Sequence, residues 1–381
     1  MIRVPDPVQS TWIFLVLFAL ALVLSIRPAA LTRVFPLSTT QEVKGFAILA
    51  VVFGHIGYFA SADHRFLFPL SVMSGVGVDL FLFVSGYGLS LSALARPLPL
   101  SRFYTRRLRS LYVSLWIVLI ALFVLDAAAL HRVYSPGYVA QSLAGFFPTA
   151  DLWRDVDSPL WYFTLTVGYS ALFPLVFFKR RLWVSALLLL AAGEAAVWAA
   201  PSWIQAAGLY RLHIAAFPLG VLAAQFIDST AGAPRAIDRV IVWVRNAAAA
   251  GVPGRALHAA VLAALSALIA YLAIHSGVGE AAVKTQSISL LTTVAILALL
   301  IVKRFEVRLL QLVGVYSYGV YLVHWPLVAR YDVFYSHLPA WLATAAYLAA
   351  CVALGWVLQR VDAARARQPV RRPGAREQVP T

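Results

Sequence analysis

The chain has 381 residues, of which 61% are hydrophobic and only 12% charged, with a mean hydropathy of +0.80. A soluble domain is roughly 45–50% apolar and about 25% charged, so too little polar surface is present to cover this much apolar volume. The composition excludes an ordinary soluble enzyme, a disordered regulator, a collagen-like chain and a disulfide scaffold, and calls for an all-α, polytopic membrane helix bundle. A single cysteine, Cys351, allows no intrachain disulfide and argues against a structural zinc cluster, so no metal is expected. The net charge of +15 would suggest nucleic acid in a soluble protein. Here it first raises the question of sidedness.

A hydrocarbon core about 30 Å thick needs roughly 20 helical residues. Apolar runs of that size lie near 11–26, 40–61, 70–94, 110–130, 159–178, 182–200, 207–227, 256–275, 285–302, 309–330 and 339–358. The first is read as a retained span, because its leader carries only Arg3 and no small-residue cleavage site stands out. Every second connection is basic. Together 27–44, 96–109, 179–181, 228–255, 303–308 and the tail hold 24 of the 31 Lys and Arg residues. The positive-inside rule then places the N-terminus outside and the C-terminus in the cytoplasm, with eleven spans. Residues 1–39 form an extra N-terminal span and linker, 40–358 a membrane domain, and 359–381 a basic, disordered cytoplasmic tail. No internal repeat is visible.

Ionisable groups inside spans are costly and are default site candidates. In the second span, Thr39 followed by Glu42 resembles a capping box and predicts a helix start at Thr40. His55 follows Lys44 by eleven positions, which returns to nearly the same helix face roughly 16 Å further on, near mid-membrane. A neutral imidazole there can take a proton from a hydroxyl; a packing histidine bonded to a neighbouring helix is the other reading. In the third span, Gly75 and Gly77 allow close helix approach. Asp79 lies near the midplane, either orienting His55 as a triad carboxylate does or capping a neighbour's backbone. Before the fourth span, Arg102, Arg106, Arg107 and Arg109 suit phosphate binding, or serve only as topology signals. The outer connection 131–158 mixes Tyr134, Tyr138, Phe146, Phe147 and Trp153 with Asp151, Asp155 and Asp157. It is either a cradle for a polar acceptor or an interfacial loop. Arg211, with His213, ends the seventh span on the outer side, to bind substrate or to snorkel. In the tenth span Ser317, Tyr321 and His324 share a face, Trp325 follows, and Pro326 is placed to kink the helix. An interfacial aromatic belt with a structural histidine is the alternative there.

These stretches together resemble acyltransferase family 3. The run from Glu42 through Lys44 and Gly45 to His55 looks like that family's first helix, with ten residues between a basic residue and a histidine. Gly77-Val78-Asp79-Leu80-Phe81 through Ser85-Gly86-Tyr87 is similar to its second. Phe103-Tyr104 with Arg106, Arg107 and Arg109 resembles its arginine motif. Leu160-Trp161 through Phe173-Pro174, Arg211 through Phe217 and Gly220, and Ser317-Tyr318 through His324-Trp325-Pro326 complete the likeness, which spans about 40–358.

The resemblance implies a ten-helix core that moves an acyl group, usually acetyl from cytoplasmic acetyl-CoA, onto a hydroxyl of a carbohydrate or other envelope molecule in a bacterial cytoplasmic membrane. It implies His55 as the catalytic residue and Lys44 with the Arg106/Arg109 pair on the donor side. Asp79, Trp161 and His324 would line the site, and Tyr321, Trp325 and Arg211 fall in the same motifs. Three departures stand out: the extra first span, no large C-terminal soluble domain, and Thr166-Val167 where many members carry a Glu pair. The rival reading is a glycan or lipid transporter or flippase. Such folds often carry inverted repeats, which this sequence does not show.

Overall fold

The computed structural model describes residues 1–29, 33–97, 99–227, 236–275 and 283–367. Helix α1 (Pro7–Leu24) starts four residues before the apolar run, with Pro7 in its first turn, where a missing N–H costs nothing. Strand β1 (Ile26–Pro28) follows. Helix α2 (Leu37–Gly54) begins behind Pro36 with no side-chain cap. The expected capping box does not form, because Glu42 is turned inward. Lys303 Nζ stands 3.0 Å and 2.9 Å from its two carboxylate oxygens, and the Val307 amide also donates to it. A buried carboxylate needs such partners.

From His55 to Ala60 the chain widens into a π-helical turn that closes with the Ser61 amide on the Ile56 carbonyl at 2.9 Å. Single π turns inside α-helices often mark functional positions. Helix α3 (Ser74–Ala95) and helix α4 (Leu100–Ala129) come next. The arginine segment does not precede α4 as expected but forms its first turns. Arginine is a good helix former, and Pro99 sets the start one residue earlier. At 30 residues, α4 is about 45 Å long, so its basic turns extend past the apolar layer.

Within 131–158 lies a short helix α5 (Pro136–Leu143), capped by Ser135. Helix α6 (Trp161–Leu172) has only twelve residues, about 18 Å, because 3₁₀ turns containing Pro159 and Pro174 flank it. Helix α7 (Leu182–Trp198) is followed by α8 (Ala207–His213) and α9 (Ala216–Ala223), which divide one expected span. Helix α10 (Ala236–Ala247) was not expected. Twelve residues are too few to cross, and it sits inside a connection. Its Arg245 binds the carbonyls of Ile301, Arg33 and Val34 at 2.6, 3.0 and 2.7 Å, so this basic residue is also a structural tie.

Helices α11 (Gly251–His275) and α12 (Val283–Val302) lead to strand β2 (Phe305–Val307). Strand β2 pairs antiparallel with β1, Ile26 opposite Val307. Helices α13 (Arg308–Val315) and α14 (Ser317–Ala329) meet at 77°. The bend falls at Tyr316 and not at Pro326, which lies in the last turn of α14, where few hydrogen bonds remain to break. Helix α15 (Ala340–Arg367) runs nine residues past the expected end at 358, through helix-forming Ala, Gln and Arg. The rest of the expected tail, 368–381, lies outside the described residues, as does Arg235.

The architecture is an all-α membrane bundle with one two-stranded tie. Each expected apolar run contains helix. Seven helices among the described residues are long and apolar enough to cross a membrane, eight if α13–α14 is one broken span. Helix α2 is the axis of the bundle. It touches α13 so closely that a Cβ on Gly45 would land on the Leu310 backbone, and one on Gly314 on the backbone of Gln41. The N-terminal helix is packed in as well: Phe14 and Phe18 both meet the ring of Phe53 edge-on at 5.6 Å. Thr11 accepts the Leu67 amide at 2.8 Å. The β1–β2 tie and the Arg245 contacts gather Ile26–Pro28, Arg33, Val34 and 301–307 at one end, which is rich in arginine. At the opposite end the Ile2 amide reaches the Ala60 carbonyl at 2.7 Å, and Ala206 reaches Pro148 at 2.9 Å.

Candidate active site

His55 stands where α2 passes into the π turn, on the wall of a cavity of about 260 Å³ also lined by α3, α6, α8, α12 and residues 150–158. Its Nδ1 is 2.8 Å from the Val51 carbonyl. A carbonyl only accepts, so Nδ1 carries the proton and Nε2 keeps its lone pair. His324, fully buried on α14, is fixed the same way, Nδ1 at 2.8 Å from the Tyr321 carbonyl. Its Nε2 lies 3.4 Å from His55 Nδ1, and the rings meet nearly edge to face. Trp325 packs against His55 with ring centroids 5.3 Å apart and donates its indole N–H to Leu152 at 3.1 Å. The two histidines named from separate helices are therefore neighbours.

Asp79 is not the partner of His55. Its Oδ1 is 2.7 Å from Nδ1 of His213, and its Oδ2 accepts the Ser289 hydroxyl at 2.5 Å. Both oxygens of this fully buried carboxylate are engaged on the α8–α12 side, which leaves none for His55. Trp161 stacks on the His213 ring at 5.6 Å and 24°, and both line the cavity. Arg211 is exposed and does not line it. Two residues along a helix is a turn of about 200°, so His213 faces the cavity where Arg211 faces away. In the sequence only the Arg211–His213 spacing hinted at this, and nothing local connects His213 to a carboxylate 134 positions earlier.

On the arginine-rich side, a second cavity of about 390 Å³ is lined by Lys44, Ser85, Arg107, Tyr162, Thr166 and Tyr321, among others. Arg107 is held by Ser85 at 2.9 Å and Ser170 at 3.0 Å. Arg107 and Ser110 also line a third cavity, about 380 Å³, with Arg96, Arg102 and Arg106. Cationic groups thus run from the end of the bundle inward to Lys44. Arg109 is exposed and lines neither cavity. Tyr321 and Trp161 link the levels. The Tyr321 hydroxyl donates to Pro159 at 3.0 Å while its carbonyl holds His324. Trp161 faces the histidines and its neighbour Tyr162 faces Lys44.

Connection 131–158 closes the far side of the histidine cavity with Ala150, Leu152 and Ser158. Its acids do not form an acceptor cradle, because each serves the loop itself or is buried. Asp151 accepts the amides of Trp153 and Arg154, both at 2.9 Å, which hold its carboxyl below the ordinary range. Burial pushes Asp155 up, against the pull of the Thr149 hydroxyl and the Asp151 amide. Burial raises Asp157 well above an ordinary carboxyl, and neither of its oxygens has a hydrogen-bond partner among the described residues. A raised folded-state value contributes stability that is present below the unfolded value, near 4, and lost as pH rises toward the folded value. Asp157→Asn removes that loss, so its melting temperature should exceed the parent's more at pH 8 than at pH 4. A gap independent of pH would contradict the burial argument.

Among the described residues no group of three or more His, Cys, Asp or Glu is placed to hold a metal ion. The fold and this buried polar interior define a multi-pass membrane protein with one cavity lined by histidines and others lined by Lys44 and arginines. The acyltransferase-domain model of acyltransferase family 3 matches residues 43–360, so the chain belongs to that family and is an acyltransferase. Comparison with curated proteins and with solved structures returned no match. The matched stretch begins within α2, so α1 lies outside it.

Proposed function

We propose that the protein transfers an acyl group, acetyl in the first instance, from cytoplasmic acyl-CoA to a hydroxyl of an exported carbohydrate or glycolipid at a bacterial cytoplasmic membrane. The observation that carries this reading is His55: an imidazole with a free Nε2 lone pair in a cavity, beyond a line of cationic side chains. By the positive-inside rule the arginine-rich end faces the cytoplasm, where CoA is. Arg102, Arg106 and Arg107 would meet the phosphates of CoA, and Lys44 would meet the pantetheine-thioester arm or its phosphate at the inner limit. Trp161 and Tyr321 supply flat apolar walls of the kind that hold sugar rings and acyl chains, and the buried Trp325 backs the His55 ring. Arg211, exposed at the opposite end, is left for contact with the acceptor outside the chamber. Two routes use His55: it takes the proton of the acceptor hydroxyl, or its Nε2 receives the acyl group as the thiolate departs.

Acetyl-CoA consumption by purified protein, with mass analysis of surface glycans from cells with and without it, tests the proposal. Loss of an acyl mass from the glycan without the protein is the expected result; unchanged glycans and no thiol release would refute it. Donor binding is separable. A charge-assisted contact contributes about 1.5–3 kcal/mol, so Arg106→Ala should raise the KM for acyl-CoA roughly 10-fold or more at little cost in kcat. Equal kinetics for Arg106→Ala and the parent would leave those arginines a topological role alone.

A further inference from the structure

We infer that His213, held by Asp79, is the base that takes the proton of the acceptor hydroxyl, and that His55 carries the acyl group. This rests on the acyl-transfer reading and assigns the two roles it leaves open. Asp79 is fully buried and accepts from both His213 Nδ1 and Ser289 Oγ. Holding the proton on Nδ1 leaves His213 Nε2 with its lone pair. The Trp161 ring, stacked on one face, fixes the imidazole plane. Cε1 of His213, the atom beside Nε2, would lie 3.5 Å from a Cβ on Gly75, and both residues line the cavity. A histidine with a buried carboxylate on Nδ1 can accept a proton at Nε2 with a counter-charge already in place.

His55 differs in that respect. Its Nδ1 faces a backbone carbonyl and the neutral imidazole of His324, with no carboxylate among its hydrogen-bond partners. Its Nε2 is a free lone pair, suited to attack on a carbonyl carbon. One cavity of about 260 Å³ is thus lined by two histidines, each with a lone pair on Nε2, in different electrostatic settings.

The steps balance. The His55 Nε2 lone pair attacks the thioester carbon, an N–C bond forms, the C–S bond breaks, and CoA leaves as thiolate. The acyl-imidazolium keeps its Nδ1 proton on the Val51 carbonyl. The acceptor hydroxyl then attacks the same carbon. Its proton passes to His213 Nε2, a C–O bond forms, and the C–N electrons return to His55. The His213 imidazolium, balanced by Asp79, gives its proton to the thiolate through solvent, which restores both histidines.

The test uses membranes carrying the full chain with their own glycans, supplied with [¹⁴C]acetyl-CoA. The parent should label glycan. His213→Gln should lower glycan labelling roughly 10²–10⁴-fold, the usual range for a lost general base, while label accumulates on the protein in a form that hydroxylamine releases. Asp79→Asn, which keeps shape but not charge, should trap label in the same way, and His55→Ala should label neither protein nor glycan. Hydroxylamine, which needs no base to attack an acyl-imidazole, should restore turnover to His213→Gln. Glycan labelling by His213→Gln at the parent's rate overturns the assignment. So does loss of protein-bound label in both His213→Gln and Asp79→Asn, which would make the pair a scaffold. A parent that labels nothing would instead refute acyl transfer itself.

Discussion

His55→Ala should abolish acyl transfer while the protein still accumulates and inserts. Removing the imidazole takes away the Nε2 lone pair that the reaction uses, and His324, whose Nε2 lies 3.4 Å from His55 Nδ1, has its own Nδ1 committed to the Tyr321 carbonyl. A base or nucleophile of this kind contributes roughly 10²–10⁴-fold, so activity should fall below about 1% of the parent's. The fold should tolerate the change, because His55 is only half-buried and its Nδ1 bond ends on its own helix, four residues back. Acyl transfer measured beside melting temperature checks this. Full activity in the variant would remove His55 from the reaction, and a collapsed melting temperature would make it a packing residue.

Asp126→Ala should produce the largest loss of stability. Asp126 is fully buried near the end of α4 and receives Arg330 together with the hydroxyls of Tyr331 and Tyr134, the last at 2.5 Å. Arg330 in turn donates to Tyr134 at 2.6 Å and to the Asp155 carbonyl, which ties α14 to the loop over the cavity. The Arg330 side chain is 7% exposed, so truncating Asp126 strands a buried guanidinium. Breaking such a pair from one side costs about 3–5 kcal/mol. Arg330→Met with Asp126→Leu, which removes both charges, should recover much of that loss. Melting in detergent measures both, and an unaltered midpoint for Asp126→Ala would show the pair to be dispensable. Neither Asp126 nor Arg330 stands out in the sequence, because each lies at the margin of a span where a lone charge is ordinary.

Composition and period carried the architecture. Each expected apolar run is helical because a helix satisfies its own backbone in lipid, and that requirement is local. Boundaries were less legible where local chemistry yields to packing. Glu42 looks like a cap and is instead the counter-ion of Lys303, 261 positions away. Pro326 looks like a kink, yet the 77° bend sits at Tyr316. An amphipathic helix at 236–247 hides in a connection because it has no need to cross.

The candidate site divides along the same line. Residue types and their spacing are enough to place the protein in a membrane, to gather its basic residues on alternate connections, and to mark His55, Asp79 and His324 as polar groups at apolar depth. Those facts follow from transfer energetics, which act residue by residue. The pairings come from long-range packing: His324 beside His55 across 269 positions, and Asp79 with His213 and Ser289 across 134 and 210. A carboxylate at mid-depth must find partners, but which helix supplies them depends on how backbones approach. Here that approach is set by glycine contacts such as Gly45 with α13 and Gly86 with α9.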